Sequence, residues 1–260
     1  MKKSSISFPA KSLIIIFSLL LLVGCSSNKT SSDPNDPFEG YNRAMFTFND
    51  NLDQYVLKPV AKGYDFIAPS PVQKGVSNFF SNLDDIVVLV NDLFQFKFSQ
   101  AASDTGRLLI NSTLGLFGLI DWATDRGLEN HNEDFGQTLG YWGVPTGPYF
   151  VLPFLGTSTI RDAPVIAVDT AHFDPIYNKL DKGFPVPRRN RESAIWGLTI
   201  TKAIDTRTQL LKAGNILEEA ALDRYIFIRE AYMQRRKNLV YDGNPPEDDE
   251  DFDESDLFED

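Results

Sequence analysis

The chain is poor in the residues from which most catalytic and metal centres are built. In 260 residues it has one cysteine, Cys25, and two histidines, His131 and His172. A lone thiol forms no intramolecular disulfide, and two histidines without a His-x-x-x-His spacing supply no helical zinc pair. His131-Asn132-Glu133-Asp134 offers ligand chemistry, but adjacent polar residues of this kind read as a solvated turn, and His172 leads into the turn Phe173-Asp174-Pro175. No Gly-x-Ser-x-Gly elbow, Walker loop or dinucleotide fingerprint occurs. A Ser-His-Asp triad is defined in space and not by sequence order, but no segment recommends one. No catalytic residue, metal ligand or cofactor is therefore assigned.

Basic clustering is also missing. The net charge is −11, yet Glu247–Asp260 alone holds ten acidic residues and no basic one. Without that tail the charge is −1, and setting aside the three lysines of residues 1–24 takes it to −4. The body is nearly balanced and shows no stripe suited to nucleic acid. The tail, 242–260, is too charged and too poor in apolar residues to fold alone. It reads as acidic disorder, with the attraction of a basic partner as a second reading.

The N-terminus is informative. Lys2, Lys3 and Lys11 flank the apolar run Leu13–Val23, which is shorter than the ~20 residues a spanning helix needs and fits a secretory signal. It ends in Leu22-Val23-Gly24-Cys25, a lipobox: small residues precede the cut and a thiol follows to carry the diacylglycerol. Residues 1–24 are thus a lipoprotein signal peptide and Cys25 is the lipidated first residue of the mature chain. Residues 25–35 form a flexible tether. Ser26, where lipoproteins kept at the inner membrane usually carry Asp, favours the outer membrane.

Residues 36–241 form one mostly helical domain. Tyr41, Met45, Phe48, Leu52 and Tyr55 recur at helical spacing, with Asn42, Asn49 and Asp50 off that stripe, and Pro59 is expected to end or kink the helix. Ser70-Pro71 reads as a helix start, running through Val76 and Phe80. Further helices are expected over Leu83–Phe98, over Ala101–Ile120 with a break near Gly115, over Ser158–Thr170, Glu192–Leu211 and Leu217–Lys237. The Gly- and Pro-rich stretch 134–162 reads as irregular and tightly turned. Twenty phenylalanines populate short amphipathic or wholly apolar segments, and no run after the signal reaches spanning length. Periodicity leaves two readings open: helices lying in a membrane interface, or a Phe-rich soluble core.

Five segments, taken together and in order, resemble the MlaA family, also called VacJ: Asp36–Asn49, Asn111–Asp121, Asp134–Asp162, Asp205–Leu211 and Asp223–Tyr232. The third, with its Gly-Tyr-Trp-Gly and Gly-Pro-Tyr-Phe runs, is the most specific. The resemblance implies a single ring-like bundle of short amphipathic helices lying in the inner leaflet of the outer membrane, with a central polar channel. It implies removal of mislocalised phospholipid from the outer leaflet and delivery to a soluble periplasmic phospholipid carrier, so that lipid asymmetry is kept. A trimeric porin is the implied partner. In that setting Asn42, Phe46, Phe48, Asn49 and Asp50 are the candidate channel or gating region. Two other readings are an outer-membrane structural tether and a lipid-modifying enzyme such as a phospholipase.

Overall fold

The structure, a computed structural model, describes residues 36–178, 190–211 and 222–246. The signal segment, Cys25, the tether and the tail from Glu247 onward lie outside the described residues.

The described chain is mostly helical, as the periodicity predicts. Helix α1, Glu39–Leu52, passes into a π turn, Asp53–Leu57, and then directly into α2, Lys58–Ile67. The helix does not stop at Pro59. Proline has no N–H to give and its ring displaces the carbonyl four residues back. The π turn absorbs this, with the Lys58 N–H reaching Asp53 O, five residues back.

Helix α3 starts after Pro69, carries Pro71 in its first turn and runs unbroken over Ser70–Phe94. The two segments expected here are one helix of 25 residues, roughly 37 Å long, because nothing between Phe80 and Leu83 interrupts it. It ends where Phe96 adopts φ 59° and the Lys97 N–H returns to Asp92 O. The chain reverses into α4, Phe98–Thr113, which packs along α3.

Helix α4 ends at Thr113, close to the break expected at Gly115, and does not resume before Ile120. Leu116, Phe117 and Gly118 all have positive φ, and Asn82 of α3 fills the space beside Gly118. A Cβ there would lie 2.6 Å from Asn82 Cβ, so glycine is required.

Residues 134–162 are more regular than expected. Helix α5, Phe135–Tyr141, is followed by a hairpin of β1, Tyr149–Leu152, and β2, Gly156–Thr159, antiparallel in the register Tyr149↔Thr159 to Leu152↔Gly156. Ser158 and Thr159 therefore belong to a strand, and the expected helix over Ser158–Thr170 is a shorter α6, Asp162–Val168, continued by a π turn, Asp169–Phe173. A short α7, Pro175–Asn178, follows. Helix α8 is Arg191–Gln209, and α9 is Arg224–Val240, capped by Asp223 accepting from Tyr225 N and Ile226 N. The expected start of that last helix, at Leu217, lies outside the described residues. At its end the fold reaches past the boundary drawn at 241: Lys97 Nζ lies 2.5 Å from Asp242 Oδ1.

Burial is inverted relative to a water-soluble domain. Among the described residues, twenty-one polar or charged side chains are buried, against ten apolar ones. Buried apolar side chains gather in two small clusters, one around Phe80 and Ile176, the other around Tyr149, Val151 and Tyr225. Phe66, Phe96, Phe98, Phe117 and Phe154 instead face outward, Phe66 at 91% exposure and Phe117 at 79%. No helix among the described residues is long and apolar enough to cross a membrane.

Candidate functional site

Two side chains of the candidate gating region do one job. Asn42, fully buried, donates to Tyr149 O at 3.0 Å and accepts from Val151 N at 2.9 Å. Asn49 donates to Leu152 O at 2.9 Å and accepts from Phe154 N at 2.8 Å. Seven residues of helix advance ~10.5 Å, and three residues of strand about 10 Å, so the two carboxamides meet β1 at matched intervals. Each satisfies one backbone donor and one acceptor, as a neighbouring strand would. Asn42 also donates to Asp36 Oδ1 at 2.7 Å.

Aromatic packing follows the same line. Tyr41 stacks on Phe150 with centroids 5.0 Å apart, and Phe48 meets Phe154 edge-on at 5.2 Å. Phe46 turns instead to Tyr225 of α9 at 5.7 Å. Asp50 pairs with Arg224 through two bonds of 2.9 and 3.1 Å. Asp53 pairs with Arg207 of α8. The structure thus brings Asn42, Phe48 and Asn49 together on the hairpin, and sends Phe46 and Asp50 to α9.

A second polar network locks the hairpin's far end. Arg236 of α9 reaches Asp134 at 2.5 Å and Asp162 at 2.8 Å. Burial pushes Asp134 up, but Arg236 prevails and holds it below the usual carboxylate range. Gly136 leaves room for this arrangement, since a Cβ there would lie 2.4 Å from Arg236 Nη2.

The interior opens into a cavity of about 620 Å³. Its wall comes from α3, the 130–133 loop, the π turn 169–173 with Asp174, α8, and Arg235 of α9. Six carboxylates face it, those of Asp84, Asp85, Glu133, Asp169, Asp174 and Asp205, with two fixed cations, Lys202 and Arg235. Burial raises Asp85 to about 7, against the pull of Arg107, and Asp169 to about 6. It also raises Asp205 and, in spite of Lys202, Asp84. His131 lies on this wall with Nδ1 2.9 Å from Asp104. Among the described residues no group of acidic, Cys or His side chains is arranged to hold a metal ion, and neither histidine is hydrogen-bonded to a serine or threonine hydroxyl.

The family described as MlaA lipoprotein matches residues 34–239. The chain belongs to the MlaA lipoprotein family. Similar proteins include the intermembrane phospholipid transport system lipoprotein MlaA of Escherichia coli K12, 37% identical over 228 residues, 86% of each chain. The protein of the same name from Haemophilus influenzae is 36% identical over 239 residues, 89% of this chain and 90% of its own. A solved structure described as "Structural basis for maintenance of bacterial outer membrane lipid asymmetry" superposes with a TM-score of 0.65 at 35% identity, covering 79% of this chain and 98% of that one.

The segments that carry the MlaA resemblance meet in space. Asp36 accepts from Asn42, from the Tyr225 hydroxyl and from Arg229, joining the first and last segments. The hairpin of the third segment is held by Asn42 and Asn49. In the second, Asn111 Oδ1 accepts from Trp122 N and Ala123 N and fixes the turn after α4. In the fourth, Asp205 lines the cavity and Arg207 ties α8 to Asp53. Sequence reasoning did not single out Asp84, Lys202 or Arg235. They are far apart in the chain, and the one signal was Asp205, which opens a segment that carries the family resemblance.

Proposed function

We propose that this lipoprotein withdraws mislocalised phospholipid from the outer leaflet of the outer membrane and passes it inward, keeping the membrane asymmetric. It is anchored through acylated Cys25 and lies in the inner leaflet as a ring around the polar cavity. A trimeric porin supports it, and a soluble periplasmic carrier takes the lipid. The observation that carries this reading is the inverted burial. A body with apolar side chains outward and charged ones inward suits hydrocarbon outside and a polar path within. Helix α3 supports the orientation. It carries exposed apolar residues near both ends, Val72 in its first turn and Leu93 and Phe94 in its last. Its middle and last turns carry Asp84, Asp85, Asn91 and Asp92, and a row of carboxylates is too costly at the centre of a bilayer for the helix to span it, so it lies along the leaflet and not across it.

No bond is broken in this function. A headgroup needs a polar route past hydrocarbon, while the acyl chains stay beside the apolar exterior. The test compares outer-leaflet phospholipid in wild-type cells and in cells lacking the protein. Excess surface phospholipid and weakened resistance to detergent are expected in the deletion. No excess, or release of fatty acid from labelled phospholipid by the isolated protein, overturns the reading.

A further inference from the structure

The cavity has more specific chemistry than a polar path requires. Asp84 of α3 and Lys202 of α8 form an ion pair on its wall, with Oδ1 and Nζ 2.5 Å apart. Asp205, 4% exposed, and Asp85, 1% exposed, lie on the same wall. One oxygen of Asp85 accepts no hydrogen bond, its nearest cation being Arg107 Nε at 3.2 Å. Arg235 lines the cavity with no ion-pair partner among the described residues.

We propose that the cavity selects the headgroup: it admits zwitterionic phospholipid, with an ammonium beside the phosphate, in preference to anionic phospholipid. This rests on the transport reading above. A zwitterion inserts into the Asp84–Lys202 pair without leaving a charge behind. Its phosphate takes Lys202, with Arg235 as the second cation, and its ammonium takes Asp84, with Asp174 near it and Asp205 on the same cavity wall. An anionic headgroup takes Lys202 equally well but leaves Asp84 unpaired among like charges, and an orphaned charge in a partly buried site is strongly unfavourable. The volume suits a headgroup, being within the ~300–1,000 Å³ of small-molecule sites.

The experiment uses the full-length acylated protein in nanodiscs of equimolar phosphatidylethanolamine and phosphatidylglycerol, with bound lipid read by native mass spectrometry. The expected ratio favours phosphatidylethanolamine about tenfold, equivalent to about 1.4 kcal/mol. Asp84→Asn with Asp205→Asn should bring the ratio near one by lowering the phosphatidylethanolamine share. Replacing phosphatidylethanolamine by its N-acetyl derivative, which keeps the phosphate and loses the ammonium, should abolish the preference in the wild type without any mutation. Equal binding or a preference for phosphatidylglycerol overturns the selectivity while leaving transport intact. An unchanged ratio in the double variant overturns the assignment to these carboxylates. No bound lipid of either kind overturns the transport reading itself.

Discussion

Replacing Asn42 by alanine should cost far more than its size suggests. The side chain is fully buried and serves three partners, Asp36, Tyr149 O and Val151 N. Tyr149 and Val151 are themselves 0% and 1% exposed, so water does not replace what is lost. Each buried group left without a partner costs ~1–3 kcal/mol. Two orphaned backbone groups and a weakened Asp36 therefore total about 3 kcal/mol, a large part of the ~5–15 kcal/mol that holds a domain folded. For a domain of this size the melting temperature should fall by roughly 6–12 °C. Asn49, half-buried and near the hairpin tip, has two partners that water can reach, and Asn49→Ala should cost about 1 kcal/mol. The assay is thermal unfolding of both variants in detergent by circular dichroism, paired with limited proteolysis at the hairpin. A melting temperature for Asn42→Ala within a degree of wild type, or no lower than that of Asn49→Ala, refutes the idea that this carboxamide holds the hairpin. The same geometry makes residues 46–50 sensitive to length. Removing Phe46 and Thr47 keeps Asn42 in place but turns Asn49 by about 200° on the helix, freeing the hairpin tip. If this region gates the channel, such a deletion should raise outer-leaflet phospholipid above the level seen without the protein.

Stability should fall as pH rises from about 4 to about 8. The fold holds protons on Asp85, Asp169 and Asp92, raised by burial to about 7, 6 and 8, that the unfolded chain has already released. Asp121 works the other way. Burial raises it, but bonds from Thr124, Arg107 and Asn111 win and set it near 2, so its contribution is present above about pH 4 and lost below. Melting temperatures at pH 5 and pH 8 check this, and a higher value at pH 8 contradicts it. Phe98→Asp and Phe117→Asp, at exposed sites, should be nearly silent in a soluble protein but cost up to about 2.5–3.5 kcal/mol in hydrocarbon. Greater release of these variants from membranes by alkaline washing supports embedding, and unchanged release of both refutes it. Cys25→Ala should leave uncleaved, unacylated precursor, and an acylated N-terminus elsewhere by mass spectrometry is the contrary result.

Local chemistry is written in the sequence because it depends on near neighbours. Helical spacing announces α1, α3, α4 and α8, whereas the N-caps at Asp134 and Asp223 went unread because no clear helical stripe follows either one at once. Other features depend on partners far along the chain. The pairing of Tyr149–Leu152 with Gly156–Thr159 escaped notice because four-residue strands between glycines and prolines carry little periodicity. Pro59 looked like a helix end because a π turn leaves no composition signature. The polar residues beside the α1 stripe were visible, yet their periodicity was silent on what they meet: Asn42 and Asn49 bind backbone more than a hundred residues away. The deepest ambiguity concerned the apolar stripes themselves. An amphipathic helix has the same pattern whether its apolar face turns toward a core or toward lipid, since periodicity records that one face differs and not which way it points. Only the packing of the helices around Asp84, Asp85, Asp205 and Lys202 decided that the charged faces turn inward and many of the phenylalanines turn out.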